Sequence, residues 1–322
     1  MKRLLAIGLI LAFAMPVLFA DEASVMPARV GRIYLAPMYG FASSGYDNDG
    51  KSQKLGFDIS MFNLGLALEY GINDWISAAV QWVPGWTLWS KIDQPGVKAN
   101  MNGVADLFVG AKIQVIGPKA PVANETMRLS FAPGVKIPLP GPDFTEELAN
   151  IMTGKEATML SIDKHVLGLG LRTYFDYIIN EKFFINLYNE FIFFPIEGEA
   201  RYAGVPQLMA GLPAGTKIDY GYSLIFELEP QFAHNVAEKT IFKTGLPVNF
   251  AIGAAPTYSY AGMSSEGDGS QNLSLRPNVS MFFQGWPLPM EFKLQYIAPL
   301  YGKNVPAAIN SIMLQVRAYF KI

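Results

Sequence analysis

The sequence contains no cysteine, and its 322 residues include only two histidines, His165 and His234. The absence of cysteine excludes disulfide bonds and thiolate metal sites. Two isolated imidazoles also give little support for a catalytic triad, which needs a histidine beside a nucleophile and an orienting acid. They fall at opposite ends of the strands predicted below. We therefore expect no metal, no cofactor and no enzymatic activity.

A long hydrophobic run is also missing once the first twenty residues are set aside. No later stretch reaches 18 consecutive apolar residues, so no transmembrane helix is predicted. Nevertheless 51% of the chain is hydrophobic, only 16% is charged, and the mean hydropathy is +0.21. This composition suits a membrane β-barrel, in which apolar and polar side chains alternate along each strand. The 25 basic and 27 acidic residues give no basic excess, so nucleic acid is not an expected partner.

Residues 1–20 have the features of an export signal peptide. Lys2 and Arg3 supply the positive charge, residues 4–14 form the apolar stretch, and residues 16–20 form a cleavage region that ends at Ala20, before Asp21. We therefore predict a signal peptide at 1–20 and one domain at 21–322.

The C-terminal segment 311–322 alternates without interruption. Ile312, Leu314 and Val316 share one face, whereas Gln315 and Arg317 share the other. A period of two predicts a strand, and in an exported protein its apolar face can point at lipid. The segment resembles the assembly signal of bacterial outer-membrane barrels. We therefore expect the barrel-assembly machinery to be a partner that binds this strand.

The same alternation recurs along the chain and predicts twelve strands. They are 32–41, 55–70, 75–83, 102–116, 125–139, 164–178, 182–196, 218–233, 246–260, 272–283, 289–300 and 311–322. Most are long enough to cross a bilayer at a tilt. The sequence therefore predicts an all-β fold, a single transmembrane antiparallel up-and-down β-barrel of outer-membrane type with about twelve strands.

The connections support the same architecture. Those after odd strands are mostly long and those after even strands mostly short, as in barrels with extracellular loops and periplasmic turns. The segments 84–101 and 197–217 are predicted loops, and 234–245 is a predicted connection that breaks the rule. Tryptophans stand near both ends of the strands, as in an aromatic girdle. We expect the protein in the bacterial outer membrane, surrounded by lipid, with segment 140–163 outside the cell.

Charged residues fall on the predicted inward face. They are Lys112, Arg128, Lys136, Arg172, Arg276, Lys293 and Arg317 among the bases, and Asp106, Asp176, Glu190, Glu227 and Glu229 among the acids, with Glu69 and Glu291 as further acids. Two interpretations remain open. The charges can pair with one another and satisfy a filled lumen, or they can line a conduit and set its selectivity.

Several predicted loops are more apolar than those expected of a sugar or ion porin. Phe144, Leu148, Ile151 and Met152 recur at helical spacing after Pro142 and Asp143, so a short amphipathic helix is predicted there. Residues 305–309 are also mostly apolar. Such residues can pack on each other, or they can form a capture surface for an apolar solute.

Two short motifs carry a family resemblance. Residues 102–112, with Asp106, Gly110 and Lys112, and residues 131–140, with Pro138 and Pro140, resemble the outer-membrane family named for the meta-cleavage pathway of phenol degradation. Segment 65–75 also fits. The resemblance implies a barrel for uptake of hydrophobic or aromatic compounds, near the long-chain fatty-acid transporter superfamily. An N-terminal plug of the kind found in the fatty-acid transporters is not evident in this sequence.

The sequence as a whole favours an outer-membrane channel for passive uptake of small, hydrophobic or aromatic solutes. The alternative is a structural or adhesin-like surface protein with a filled lumen, which would present segments 84–101 and 197–217.

Overall fold

The computed structural model describes residues 22–94, 97–141, 143, 145, 164–202 and 212–321. The predicted signal peptide lies outside these residues. Strands dominate, and among the described residues no helix is long and apolar enough to span a membrane.

In the described chain, twelve antiparallel strands form one closed barrel. They are β1 (Val30–Tyr46), β2 (Ser52–Asn73), β3 (Ile76–Gln94), β4 (Val97–Val104 and Leu107–Gly117), β5 (Met127–Ile137), β6 (Gly168–Ile178), β7 (Phe183–Phe193), β8 (Tyr222–Ala237), β9 (Thr240–Gly245 and Val248–Gly253), β10 (Ser270–Leu275 and Asn278–Phe283), β11 (Met290–Lys303) and β12 (Asn310–Lys321). Each strand pairs with its sequence neighbours, and β12 pairs with β1 from Val30–Lys321 to Phe41–Asn310, which closes the barrel. The predicted fold class and strand number are confirmed.

Two of the strands that run in two segments are interrupted at proline. β9 breaks at Pro247 and β10 at Pro277, which lack the N–H that a ladder hydrogen bond requires. The ladder continues around them, because Arg276 N–H donates to the carbonyl of Pro247 at 2.8 Å and Tyr296 N–H donates to that of Pro277 at 3.0 Å. The wall therefore stays closed at these positions.

The burial pattern is the reverse of that in a soluble protein. On β12, Ile312 and Leu314 are 47% and 39% exposed, whereas Gln315 is completely buried and Arg317 is nearly so. The other strands repeat this arrangement, with apolar side chains outside and polar ones inside. Such a surface is stable only where lipid covers the outside.

The two ends of the barrel differ in their connections. At the turn rim, where β1 begins at Val30 and β12 ends at Lys321, short turns join most of the strand pairs, for example at residues 74–75 and 238–239. At the loop rim, the long segments 138–167 and 194–221 emerge. A separate four-stranded sheet lies among the loop-rim segments, formed by Gly198–Glu199, Lys217–Asp219, Thr257–Tyr260 and Met263–Glu266.

Two predicted connections are wrong. Segment 234–245 is not a connection, because β8 continues to Ala237 and β9 begins at Thr240, which restores the alternation of long and short connections. Segment 84–101 is not a loop, because β3 and β4 continue through most of it and pair with each other. β3 and β4 are therefore longer than the strands predicted at 75–83 and 102–116.

Candidate functional site

The lumen contains the first described residues, 22–28, which form the N-terminal segment. Ala23 N–H donates to both carboxylate oxygens of Asp176, at 3.1 and 2.9 Å, and the hydroxyl of Ser130 donates to the carbonyl of Ala23. Asp176 and Ser130 point inward from β6 and β5, and Ala23 is completely buried. The segment therefore occupies the turn-rim end of the lumen. The sequence interpretation did not predict that this segment enters the lumen.

Basic side chains of the wall hold the same segment. Lys112 Nζ donates to the carbonyl of Glu22 at 3.1 Å, Arg128 donates to the hydroxyl of Ser24 at 2.9 Å, and Lys243 Nζ donates to the carboxylate of Glu22 at 2.6 Å. Hydrogen bonds from charged donors contribute about 1.5–3 kcal/mol each. The segment is therefore bound to the wall rather than loosely placed in the opening.

The N-terminal segment leaves the lumen across Gly71 of β2. Arg29 N–H donates to the carbonyl of Gly71 at 2.9 Å. A Cβ atom at position 71 would lie only 2.0 Å from the carbonyl oxygen of Pro27. Glycine is required here because the two backbones approach too closely for any side chain.

Arg172 on β6 crosses the middle of the lumen. Its guanidinium donates to Glu190 on the neighbouring strand β7 and to the side-chain oxygen of Gln81 on β3. Glu190 also accepts a hydrogen bond from the hydroxyl of Tyr188 at 3.1 Å. The guanidinium carbon lies 3.6 Å from the centre of the Phe108 ring. One buried side chain thus connects four strands across the barrel.

Three glycines make room for the Phe108 ring. Gly110, Gly134 and Gly170 are register partners on β4, β5 and β6, so they form a row across the wall. A Cβ at Gly134 would lie 2.3 Å from Phe108 Cζ, and one at Gly170 would lie 2.7 Å from Cε2. The ring occupies the space that three side chains would otherwise fill.

A second buried group surrounds Arg276 on β10. Its guanidinium donates to Glu227 at 3.2 Å and to Asn249 Oδ1 at 2.9 Å, while Asn249 Nδ2 donates to Glu227 at 2.9 Å. Arg276 Nε also donates to the hydroxyl of Ser274 at 3.1 Å. The charges on β8 and β10 are therefore bridged by an amide on β9.

A third group lies on the wall where the barrel closes. Arg317 pairs with Glu291 at 3.1 Å, and Arg32 pairs with Glu69 at 2.6 Å. The ring of Tyr34 lies between the two guanidinium groups, with its centre 4.5 Å from Arg32 and 5.1 Å from Arg317. Cation–π contacts of this kind add about 0.5–2 kcal/mol each. The closing strands are thus joined by side chains as well as by the backbone.

All twelve predicted lumen residues belong to the inner wall, and each of the five acids among these twelve lies beside one of the bases. Besides the close pairs above, three looser pairs have 3.9 Å separations: Arg128–Asp176, Lys136–Asp106 and Lys293–Glu229. Lys112 binds the N-terminal segment. Most of these side chains are buried against one another, as in a filled lumen. Their role in selectivity stays a prediction.

The loop-rim half of the lumen contains an apolar cluster along β12, β1 and β3, beside small buried polar residues that include Asn63, Thr87 and Ser90. Met38, Met313 and Ala36 form a buried cluster, with Val83 packed against it. Further toward the loop rim, Met61 is also buried. Flexible, polarizable methionines adapt to differently shaped apolar neighbours. The sequence interpretation overlooked this wall, although these methionines stand at the inward positions of the same alternation that identified the charges.

Residues 304–309, the connection between β11 and β12, fold inward over this half of the lumen. Residues 305–309 are all buried. Tyr46 N–H donates to the carbonyl of Val305 at 2.6 Å, and Ala308 N–H donates to that of Ser44 at 2.8 Å. A Cβ at Gly45 would lie 2.1 Å from the carbonyl oxygen of Pro306. This loop therefore covers the lumen from the loop rim.

A hydrophobic cap covers the opposite side of the loop rim. Its buried core includes Ile192, Phe194, Ile218 and Tyr220, and Tyr258 of the small sheet packs against it. Burial raises the pKa of Tyr258 above its ordinary value.

A polar contact lies at the edge of the cap. A hydrogen bond from Lys217 holds the pKa of Glu199 below its usual range. The cap thus combines an apolar interior with a charged rim.

The predicted capture residues Phe144, Leu148, Ile151 and Met152 lie outside the described residues. The two residues on either side of Phe144 are described: Thr145 N–H donates to Asp143 Oδ1 at 2.8 Å, the bond of a helix N-cap. The capture role stays a prediction.

Neither a family model nor a curated protein matches the sequence. The COG4313 outer membrane channel from Pseudomonas putida F1 has a similar structure, with a TM-score of 0.65 at 14% identity, over 94% of this chain and 100% of that chain. The NanC porin (TM-score 0.43, 6% identity, 90% and 100% covered) and the CymD monoaromatic hydrocarbon channel (0.36, 8%, 92% and 89%) are more distant in shape. The first likeness shows a shared fold.

The closed barrel, its apolar exterior and its shared fold together place the protein in the bacterial outer membrane. This confirms the predicted location and the lipid environment. The resemblance to the phenol-pathway family stays a prediction.

Proposed function

We propose that this barrel is an outer-membrane channel for passive uptake of small hydrophobic or aromatic solutes. The observation that carries the proposal is the apolar cluster of the loop-rim half, where Met38 and Met313 pack together and Met61 is buried nearby, beneath a folded apolar loop. A porin for ions or sugars needs a wet, polar wall throughout. A wall of methionines favours an apolar solute instead. A channel of the same fold supports the proposal.

The route in this proposal has two closures. Residues 304–309 cover the loop-rim half of the lumen. The N-terminal segment and the paired charges fill the turn-rim half. A solute enters by displacing the apolar loop and binds against the methionines. It continues only after the N-terminal segment moves, because that segment occupies the space between β5, β6 and β9.

An uptake assay tests the apolar wall. Replacing Met38 and Met313 with Ser should lower uptake of an aromatic hydrocarbon at least about fivefold, since losing both contacts removes on the order of 1–2 kcal/mol of apolar contact. Ser90→Ala, which changes another buried residue of the inner wall, is the matched control. Heat-modifiable gel migration verifies folding. Unchanged uptake in a folded double variant would contradict the proposal.

The filled polar half also fits the alternative, a surface protein that transports nothing. Planar-bilayer recording separates the two. We expect little conductance from the intact barrel, and measurable conductance when residues 22–28 are deleted after the signal peptide. If the folded deletion variant neither conducts nor takes up solute, the surface-protein interpretation is favoured.

A further inference from the structure

Asn63 of β2 belongs to the inner wall beside the apolar cluster of the loop-rim half. It is 2% exposed, and it is the register partner of Met38 on β1 and of Thr87 on β3. Met38 is in turn the register partner of Met313 on β12. These four buried residues therefore form one row across the inner wall, in which a carboxamide adjoins the methionines.

The side-chain oxygen of Asn63 has no hydrogen-bond partner among the described residues. Buried carboxamide oxygens of this kind are rare, because they lose their hydration without compensation. The backbone does not require a polar side chain at this position, since β2 is paired on both sides here. A leucine has nearly the same shape and would pack against methionine without leaving an unsatisfied acceptor. Packing alone therefore does not account for the carboxamide.

Asn63 differs from an inward carboxamide that serves an ion pair. Asn249 binds both Arg276 and Glu227, whereas no member of the row around Asn63 is charged. The rest of the apolar cluster is uncharged as well, because it consists of one alanine and one valine besides the methionines. A ligand at Asn63 therefore meets uncharged hydrogen-bonding groups at the edge of an apolar surface.

We propose that Asn63 makes the apolar cluster selective for uncharged solutes that carry a hydroxyl group on an apolar body. A hydroxyl group both donates and accepts hydrogen bonds, so it satisfies either end of a carboxamide. A hydrocarbon of the same size covers the methionines but leaves the oxygen of Asn63 unsatisfied. A carboxylate has no donor for that oxygen, and an ammonium group meets no opposite charge in the row. An alcohol is the class of solute that matches both surfaces.

This inference rests on the proposed function, because the solute reaches Asn63 along the route through the loop rim. Asn63 is enclosed in the closed barrel, and its neighbour Met38 has the flexible side chain that repacks around a ligand. The methionines bind the apolar body of the solute, and the carboxamide distinguishes solutes that carry a hydroxyl group from those that do not. Asn63 is therefore a specificity-determining residue rather than a part of either closure.

The test compares uptake of benzyl alcohol with uptake of ethylbenzene, which has a methyl group in place of the hydroxyl group. Initial uptake into cells that produce the barrel, less that into cells without it, gives an alcohol-to-hydrocarbon ratio for each variant. In Asn63→Leu this ratio should fall about fivefold, which is equivalent to one hydrogen bond of about 1 kcal/mol. Uptake of ethylbenzene should not fall.

Asn272→Leu is the matched control and should leave the ratio unchanged. The side-chain oxygen of Asn272 also lacks a partner in the described part of the chain, but its register partners are Ala251 and Gly302 rather than methionine. Heat-modifiable gel migration verifies the folding of both variants. Asn63→Leu should also unfold at a urea concentration no lower than the wild type, because it removes an unsatisfied buried group.

The outcomes separate this inference from the proposed function. If the wild type takes up neither solute, the proposed function fails and the inference fails with it. If the wild type takes up both and folded Asn63→Leu keeps the wild-type ratio, the inference is overturned while the proposed function stands. An equal fall of the ratio in Asn272→Leu would also overturn it, since the effect would then reflect polarity of the lumen in general. So would a wild type that prefers phenylacetate, a carboxylate of similar size, to benzyl alcohol.

Discussion

Replacing Arg172 with Met removes a cation that connects β6, β7, β3 and the Phe108 ring. The variant keeps an unbranched side chain that replaces the aliphatic part of the arginine, so part of the packing volume is retained. Glu190 loses its ion pair and keeps the hydrogen bond from Tyr188 at 3.1 Å. The perturbation is therefore an unpaired carboxylate in a buried site with one remaining donor.

The expected loss of unfolding free energy follows from this geometry. Removing one partner of a buried pair typically costs about 3–5 kcal/mol, since the other charge is left without compensation. The surviving Tyr188 bond places Arg172→Met near the lower end, and the lost contact with Phe108 adds about 0.5–1 kcal/mol. Removing both charges, in Arg172→Met with Glu190→Gln, should cost less than the sum of the single changes by about 2 kcal/mol or more.

Urea unfolding in lipid vesicles, followed by tryptophan fluorescence, measures these differences. Lys217→Met breaks the partly exposed pair with Glu199 and is the matched control, for which we expect little change. Two results would contradict this reasoning. Arg172→Met could unfold at the same urea concentration as the wild type, or the effects of Arg172→Met and Glu190→Gln could add without coupling. Either result would show that the ion pair does not stabilise the barrel wall.

Two further predictions concern topology and the wall. A tag inserted near Thr153 should be labelled on intact cells and one near Asn73 should not, because β5 and β6, which flank residue 153 in sequence, meet the loop rim at Ile137 and Gly168, whereas Asn73 lies at the turn rim. Reversed labelling would invert the assignment of faces. Gly134→Leu should prevent or weaken folding, as judged by heat-modifiable migration, because its Cβ would lie 2.3 Å from the Phe108 ring. Adding Phe108→Ala should restore folding in part, and no restoration would show that the ring is not the obstacle.

The strands were predictable because lipid outside and polar groups inside impose a period of two. The strand bounds were wrong where a strand no longer has lipid on its outer face. Segment 234–245 reaches the turn rim, where outward residues contact water and the apolar positions are no longer regular. Segment 84–101 failed for another reason: the β3 ladder has register shifts around Gly85, which has a positive φ, and they reset the alternation.

Lumen pairs were predictable only where the chain itself brings them together. Arg172 and Glu190 are register partners in one hairpin, so inward alternation plus a short turn places them side by side. Arg276 and Glu227 lie two strands apart, and their bridge depends on Asn249 between them.

The N-terminal segment gave no periodic signal because it is short and irregular. Its position depends on single contacts between residues far apart in sequence, such as the bond from Ala23 to Asp176.

The two closures of the lumen differ in what can open them. Moving the N-terminal segment separates Glu22 from Lys243 and Ala23 from Asp176, and an apolar solute offers no replacement for these polar contacts. Displacing residues 304–309 breaks four backbone hydrogen bonds to residues 44–47 and uncovers Val305 and Ile309, whose burial contributes about 1.5–3 kcal/mol each. An apolar solute can cover the same surface. Under the proposed function, the solute itself therefore opens the loop rim, and a polar competitor is needed to open the turn rim.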